Sequence, residues 1–346
     1  MPKKEDPPTL ADVAASAGVS IATVSKVLNG RSDVGPATRA RVQSLLSEHE
    51  YVARRAEAAR PEPGEPRTVE VVFHGELSGY AQAILEGVVD GGLVDGVSVV
   101  VSVRPRYLQR GDARPAEWIR ELNRRRRSAV IDVSDDVREG DLSAIGRARV
   151  PLVMVDPLSA PRRDVASIGT TNFSGGMAAA QHLLGLGHTR IAYLGAKPSY
   201  LFDRARQHGY RAALEAAGVS VGEGYVRGGG YSYESGVAGG SALLDLPERP
   251  TAIFAATDES AAGVIEAARV RGLRVPEDLS LVGFDDAPVA RVLSPPLTTI
   301  RQPLREMGRV ALRTALRLAA GDELDSYHVE LATELVVRSS TAPPAG

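Results

Sequence analysis

The sequence predicts a small all-α helix-turn-helix head, followed by an α/β core of two doubly wound parallel-sheet lobes. Three observations carry this. Residues 10–28 hold two short amphipathic helices joined by Ala17-Gly18-Val19-Ser20. From about residue 67, β-branched apolar runs alternate with segments of helical periodicity. The alternation comes as two series, the second starting near residue 166. The chain has 346 residues, beyond the roughly 250–300 at which a single core stops growing.

In the head, Leu10, Val13, Ala14 and Ala17 recur at i, i+3, i+4 and i+7, one apolar face of a helix. Gly18 stands where a helix ends with positive φ. Val19 plugs the turn, and Ser20 is placed to cap a second helix. That helix turns Val24, Val27 and Leu28 inward. It presents Ile21, Ala22, Ser25 and Lys26 outward, near its N-terminus, where a recognition helix meets base edges. Asn29-Gly30 stops it. Gly35-Pro36 opens a third helix, with proline in the first turn and Val42, Leu45 and Leu46 on the inner face. A generic three-helix bundle would use longer helices and larger core residues. Small residues at the crossing point to a DNA-reading unit, so double-stranded DNA is the first expected partner.

In the body, Thr68 to Phe73 reads as a strand, Tyr80 to Val89 as a helix and Val97 to Val103 as a buried parallel strand. Pro115 to Leu122 reads as a helix, and Ser128 to Val133 and Leu152 to Val155 as strands. The second series runs helix 174–186, strand 190–194, helix 203–217, strand 225–228, helix 232–244, strand 252–255, helix 258–271 and strand 280–283. Such alternation builds parallel sheets with helices on both faces.

The chain has no cysteine, which excludes disulfides, thiolate metal sites and a catalytic thiol. No apolar run approaches the roughly 18 residues of a membrane span. Lys3 and Lys4 lead into Glu5, Asp6 and a proline pair rather than an apolar stretch, so no signal peptide is expected and the location expected is cytoplasmic, at the nucleoid. Net charge is −2. Residues 1–60 carry 9 Lys+Arg against 7 Asp+Glu, or +2, which leaves −4 for the rest. Phosphate neutralisation therefore depends on local placement of basic residues, not on bulk charge. The run Arg124 to Arg127 reads either as a second nucleic-acid patch or as a solvated helix end.

The head resembles the lactose repressor (LacI/GalR) family of bacterial transcriptional regulators, and so does most of the body. His182-Leu183-Leu184-Gly185-Leu186-Gly187-His188, Gly209-Tyr210-Arg211-Ala212-Ala213-Leu214, Pro250-Thr251-Ala252-Ile253-Phe254-Ala255 and Thr257-Asp258 follow the family's order. The most specific stretches are Arg274 to Asp286 and Ser294 to Ile300. The likeness is weakest at 53–68 and 104–127. It implies the periplasmic-binding-protein type I arrangement, in which the chain crosses between lobes three times. The expected division is a head at 1–56, a hinge at 57–67, an N-terminal lobe at 68–162 plus 291–322, and a C-terminal lobe at 163–290 plus 323–340.

Ligands of open α/β sheets sit beyond the carboxyl ends of the strands, and two facing lobes make a cleft that can close. Tyr80, after the first strand, offers an apolar platform for a sugar ring, or packs at a helix start. Arg206, three residues before Gly209-Tyr210, occupies the place where the resemblance puts an effector-gripping arginine. Asp258 begins a helix, where a carboxylate serves either the effector or the helix end. The resemblance gives Asp285, in Gly-Phe-Asp-Asp, a contact with effector hydroxyls and Tyr231 an aromatic contact, while Asp286 holds the loop. Asn172 completes the set. Carboxylates, an arginine, an amide and aromatic faces suit a polyhydroxylated ring, so a sugar is the expected effector and a purine the alternative.

By resemblance, Ile21, Ala22 and Lys26 read bases. The two apolar residues sense thymine methyls, and Lys26 reaches guanine or a phosphate. Thr9, Ser20, Thr23, Ser25, Asn29 and Thr38 are candidate phosphate contacts. Tyr51 and Arg54 are expected at the DNA in the hinge, which departs from the family. No proline follows Val52, and Arg60 stands where a leucine wedge is usual. Less DNA bending than the family norm follows, with Arg54 and Arg60 reading a narrow minor groove. Gly35 replaces the usual serine before the third helix. Together these predict a repressor working as a homodimer on a pseudo-palindromic operator, without cofactor, metal or membrane partner. No heptad tail for a tetramer is seen. A solute-binding module is the weaker alternative. Enzymatic activity is not expected, since no metal-ligand cluster, nucleophile elbow or phosphate loop is present.

Overall fold

The computed structural model describes residues 10–28, 34–48, 67–74, 77–104, 121–122, 124–134, 150–196 and 199–345. The chain forms two units, Met1–Ala59 and Arg60–Gly346. In the first, α1 (Leu10–Ala17), α2 (Ile21–Leu28) and α3 (Pro36–Glu48) enclose Val13, Ala14, Ala17, Val24, Val27 and Val42. Gly18 ends α1 with φ 64°. Its N–H donates to Ala15 O (3.2 Å) and that of Val19 to Ala14 O (3.0 Å). Those two bonds satisfy carbonyls that a helix end otherwise leaves open. Ser20 Oγ then accepts from Thr23 N at 3.1 Å and caps α2. The side chains of Leu10 and Leu28 lie outside the described residues.

The second unit contains two six-stranded sheets. It runs β1 (Arg67–His74), α4 (Gly79–Asp95), β2 (Val97–Arg104), β3 (Ala129–Val133), β4 (Leu152–Val155) and β5 (Ala166–Thr170). Next come α5 (Asn172–Gly185), β6 (Ile191–Leu194), α6 (Leu201–Ala216), β7 (Val226–Arg227), α7 (Tyr233–Leu244), β8 (Ala252–Ala255), α8 (Asp258–Val270) and β9 (Ser280–Asp285). Last are α9 (Pro288–Val292), β10 (Thr298–Arg301), α10 (Leu304–Ala320), β11 (His328–Leu331) and β12 (Glu334–Val336). The sheets are ordered β11-β5-β4-β3-β1-β2 and β12-β10-β9-β8-β6-β7. Every pairing is parallel except β10 with β12. The helix expected at 115–122 lies largely outside the described residues.

Three crossings join the lobes, but not where the sequence placed them. The expected division gives β5 to the C-terminal lobe, yet Ala166 pairs with Val153 and extends the first sheet. The expected division places segment 291–322 whole in the N-terminal lobe. Its strand β10 instead pairs with β9, while α10 does return to the first lobe, burying Leu304, Met307, Ala311, Leu312 and Ala315 there. β11 pairs with β5 in the first sheet, and only β12 joins the second. The crossings therefore fall after Thr170, after Arg301 and after Leu331. Strand membership is set by backbone pairing across the sheet, and local patterning does not encode that.

Each of three helix pairs is joined by reciprocal glycines. A Cβ on Gly87 of α4 would collide with the Arg305 carbonyl of α10, and one on Gly308 with the Ile84 carbonyl. Gly176 and Gly209 do the same for α5 and α6, and Gly236 and Gly263 for α7 and α8. Backbones in contact leave no room for a methyl group, so these crossings are fixed by glycine's missing side chain.

Candidate effector cleft and DNA-reading face

On the head, α2 displays Ile21 (51 % exposed), Ala22 and Lys26. Thr23 and Thr38 are half-buried, and the Ser20 hydroxyl is engaged in the cap and with the Thr23 hydroxyl at 2.9 Å. Thr9, Asn29, Tyr51, Arg54, Arg60 and the side chain of Ser25 lie outside the described residues, so the hinge expectation has no structural counterpart here.

In the second unit, the strand ends bring polar groups together as the sheet rule expects. Arg206 in α6 is 2 % exposed. Its Nε donates to Asn172 Oδ1 (2.8 Å) and its Nη1 to the Ala256 carbonyl (2.6 Å). The guanidinium lies over the Phe284 ring, 3.7 Å from its centroid, and 5.3 Å from that of Phe202. Nη1 stands 3.9 Å from Asp285 Oδ1. Asn172 in turn donates to Thr170 O at 3.0 Å.

Asp285 ends β9 with φ 116°, a conformation L-residues rarely adopt. Gln302 Nε2 donates to its Oδ1 at 2.7 Å, and the Thr170 hydroxyl donates to Gln302 Oε1 at 2.6 Å. Burial pushes the Asp285 carboxyl up to about 7, opposed by the charge of Arg206 and the bond from Gln302. The next residue, Asp286, accepts from Arg301 Nε (2.7 Å) and Arg338 Nη2 (2.5 Å). Burial works against its charge, but the two arginines hold it below the usual carboxylate range. It fastens the loop, as the sequence suggested.

Asp258 departs from its expected effector role. It is 0 % exposed; its Oδ2 accepts from Ala287 N (2.7 Å) and its Oδ1 from the Thr299 hydroxyl (2.5 Å). Burial, then the neighbouring Asp285, raises its carboxyl well above normal. Thr257 supplies the helix cap and its hydroxyl accepts from Ser260 N at 3.1 Å, leaving Asp258 free to turn inward and anchor the turn after β9.

From the first lobe, the Tyr80 hydroxyl donates to Asp156 Oδ2 at 2.6 Å. Asp156 follows β4 with φ 45° and is raised by burial, with Tyr80 and Arg206 acting to lower it. Two backbone-level contacts bridge the lobes. Gly79 N donates to Glu259 Oε1 (3.3 Å) and Leu201 N to Leu158 O (2.7 Å).

Tyr231 adds a surface no local pattern revealed. Its ring stacks on Phe202 (centroids 5.7 Å, 30°) and lies 6.2 Å from Tyr200. All three are half-buried and form one aromatic wall. The Tyr231 hydroxyl is buried and has no hydrogen-bond partner among the described residues. Burial drives its ionisation far above the ordinary tyrosine range. A buried polar atom without a partner is costly.

Structure thus brings Arg206, Asn172, Asp285 and Tyr231 together, sets Tyr80 with Asp156 on the facing lobe, and withdraws Asp258. Sequence reasoning missed Asp156, Tyr200, Phe202 and Gln302. Asp156 was findable by the same strand-end rule, in Met154-Val155-Asp156. The two aromatics looked like helix surface. Among the described residues no group of three or more His, Cys, Asp or Glu is disposed to hold a metal, and no helix is long and apolar enough to cross a membrane.

Residues 9–53 match the family described as "Bacterial regulatory proteins, lacI family", and residues 180–341 match "Periplasmic binding protein-like domain". The chain is 33 % identical to the HTH-type transcriptional regulator DegA of Bacillus subtilis, over 97 % of this chain and 98 % of that one. It is 34 % identical to the HTH-type transcriptional regulator CelR of Thermobifida fusca, over 96 % and 98 %. The solved complex of the transcriptional regulator CelR with cellobiose superposes with TM-score 0.73 at 32 % identity, covering 96 % of this chain and 99 % of that one. The lac repressor dimer bound to operator and the anti-inducer ONPF gives 0.69 at 29 %, covering 97 % and 100 %.

Proposed function

The chain belongs to the lacI family of bacterial regulatory proteins, and from that premise we propose that it is a DNA-binding transcriptional repressor, working as a homodimer, whose hold on its operator is set by a small sugar between the two lobes. The observation that carries the effector half is the constellation of Arg206, Asn172 and Asp285 beside an aromatic wall with a partnerless buried hydroxyl. Sugar hydroxyls donate to Asp285 and Asp156 and accept from Arg206, while the C–H face of a ring rests on Tyr231 or Tyr80. The similar CelR–cellobiose complex makes a β-glucoside a rational first ligand. The DNA half rests on Ile21, Ala22 and Lys26, which suit thymine methyls and one guanine or phosphate. Effector and operator are then linked by a coupling of roughly 1–3 kcal/mol through lobe movement.

Thermal unfolding against a panel of mono- and disaccharides, cellobiose included, and of purine nucleosides tests the reading. A true effector at about 100 times its Kd stabilises the fold by about 2.7 kcal/mol. Arg206→Ala should abolish that shift. A response to purines alone would replace the sugar and keep the regulator. No response to any of them would remove the sugar assignment.

A further inference from the structure

We propose that the first lobe carries a second DNA contact, a rim of arginines at the N-terminal ends of its strands that binds backbone phosphates beside the site held by the head. The inference rests on the reading of this chain as a DNA-binding regulator.

The register fixes the rim. Val69 pairs with Ala129, Val130 with Leu152 and Val153 with Ala166, so β1, β3, β4 and β5 all begin at the same end of the sheet. Arg67 opens β1. Arg124, Arg125 and Arg126 precede β3, and Arg162 and Arg163 precede β5; all five are exposed. Adjacent strands lie about 4.8 Å apart, so β1 to β5 span roughly 15 Å at this end, enough for several phosphates of one duplex strand.

Arginines outnumber carboxylates along this rim, though several are engaged, Arg67 Nη2 donating to Asp95 O at 2.6 Å. Against six arginines, the described residues of this stretch hold two carboxylates, Glu121 and Asp164. Glu121 pairs with Arg124 and Arg125, and Asp164 with Arg162 at 2.9 Å. Arg127 is different: it turns inward to Glu70 at 2.9 Å and belongs to the core. Further acidic residues flank the two ends of the rim, Asp95 before β2 and Asp322, Glu323 and Asp325 before β11. The opposite end of the same strands carries Asp132 and Asp156.

The tether selects the partner. The DNA-reading head is joined to Arg67 itself, through residues 49–66. Such a segment spans at most roughly 65 Å, so a duplex held by the head stays at high effective concentration near the rim. Arginines without base-edge geometry add affinity and no sequence preference.

The test is fluorescence anisotropy of the full chain on mixed-sequence duplexes several helical turns long, across salt. The triple variant Arg124→Gln/Arg125→Gln/Arg126→Gln should weaken binding alike on every sequence and lower the slope of log affinity against log salt by about 0.9 per phosphate contact removed. The corresponding triple lysine variant should restore both. If the glutamine variant is poorly folded, Glu121→Gln, which frees two arginines, should tighten binding and steepen the slope instead. A glutamine variant, or Glu121→Gln, with wild-type affinity and slope overturns the rim and leaves the regulator intact. A wild-type chain that binds none of the duplexes overturns both.

Discussion

The two lobes share a six-stranded plan and the same glycine-jointed helix pairs, yet in the second lobe one group of buried polar atoms, at the strand ends, is left incompletely matched. In the first lobe, Glu70 sits inside the sheet with Arg127 at 2.9 Å and the Ser102 hydroxyl donating at 2.7 Å. His74 meets Asp132 at 3.0 Å a few residues along. These groups satisfy each other. The second lobe has satisfied buried groups as well: Asp258 accepts from Ala287 N and the Thr299 hydroxyl, and Asp286 from Arg301 and Arg338. The polar groups at the cleft end are incompletely matched: Arg206 stands 3.9 Å from Asp285, and the Tyr231 hydroxyl has no partner among the described residues. A saturated buried network specifies packing, whereas an unsaturated one waits for a ligand. The contrast separates a lobe that mainly holds its shape from one that mainly grips.

The largest effect should come from breaking the saturated network. Arg127→Ala leaves Glu70 buried and unpaired, which costs about 3–5 kcal/mol. Urea unfolding should register that loss, while the folded fraction binds effector with unchanged affinity. A similar loss of affinity would dissolve the distinction between the lobes.

An intermediate effect should come from pH, on the gripping lobe. Burial raises Asp285 to about 7, from about 3.9 in an unfolded chain, and raises Asp156 and Asp203 in the same direction. The folded state therefore binds these protons more tightly. The contribution of Asp285 to stability is fully present below about pH 4 and is lost as pH rises towards 7. Urea unfolding of the effector-free protein from pH 5 to 8 should show wild type losing more stability than Asp285→Asn, whose side chain cannot ionise. Parallel curves would show that Asp285 is already charged throughout.

The smallest change sharpens the contrast most. Tyr231→Phe removes a hydroxyl with no protein partner, so stability should move by less than about 0.5 kcal/mol. Effector binding should weaken by about 0.5–1.5 kcal/mol, the net value of one hydrogen bond, as read by calorimetric titration. Unchanged affinity would assign the hydroxyl to trapped water.

Much of this was legible beforehand, for local reasons. The head is written in small residues at fixed spacing, and Gly18 and Ser20 form the turn and cap that those spacings imply. Strands β4 and β8 follow from β-branched and apolar runs, matching Leu152–Val155 and Ala252–Ala255. The crossings were not legible, because whether Ala166 pairs with Val153 depends on an edge created by distant residues. Asp258 was misjudged for a related reason. Its partners Thr299 and Ala287 come from β10 and the turn after β9, far along the chain. Tyr200 and Phe202 become a wall only when Tyr231 is laid against them. Local pattern predicts elements, and sites assembled from several elements need the tertiary pairing.

The three crossings also bear on how the protein can be made. As the chain leaves the ribosome, β1 to β5 emerge first, but the side chains that fill beneath them, Met307, Ala311 and Leu312, come from α10 some 130 residues later. The second lobe likewise lacks its β12 edge until residue 336. Neither lobe can finish folding while the other is still being synthesised, so the nascent chain keeps apolar sheet exposed through most of elongation, the condition under which chaperones are recruited. A premature stop anywhere between α10 and β12 would therefore damage both halves or leave both frayed, and would not release one intact domain.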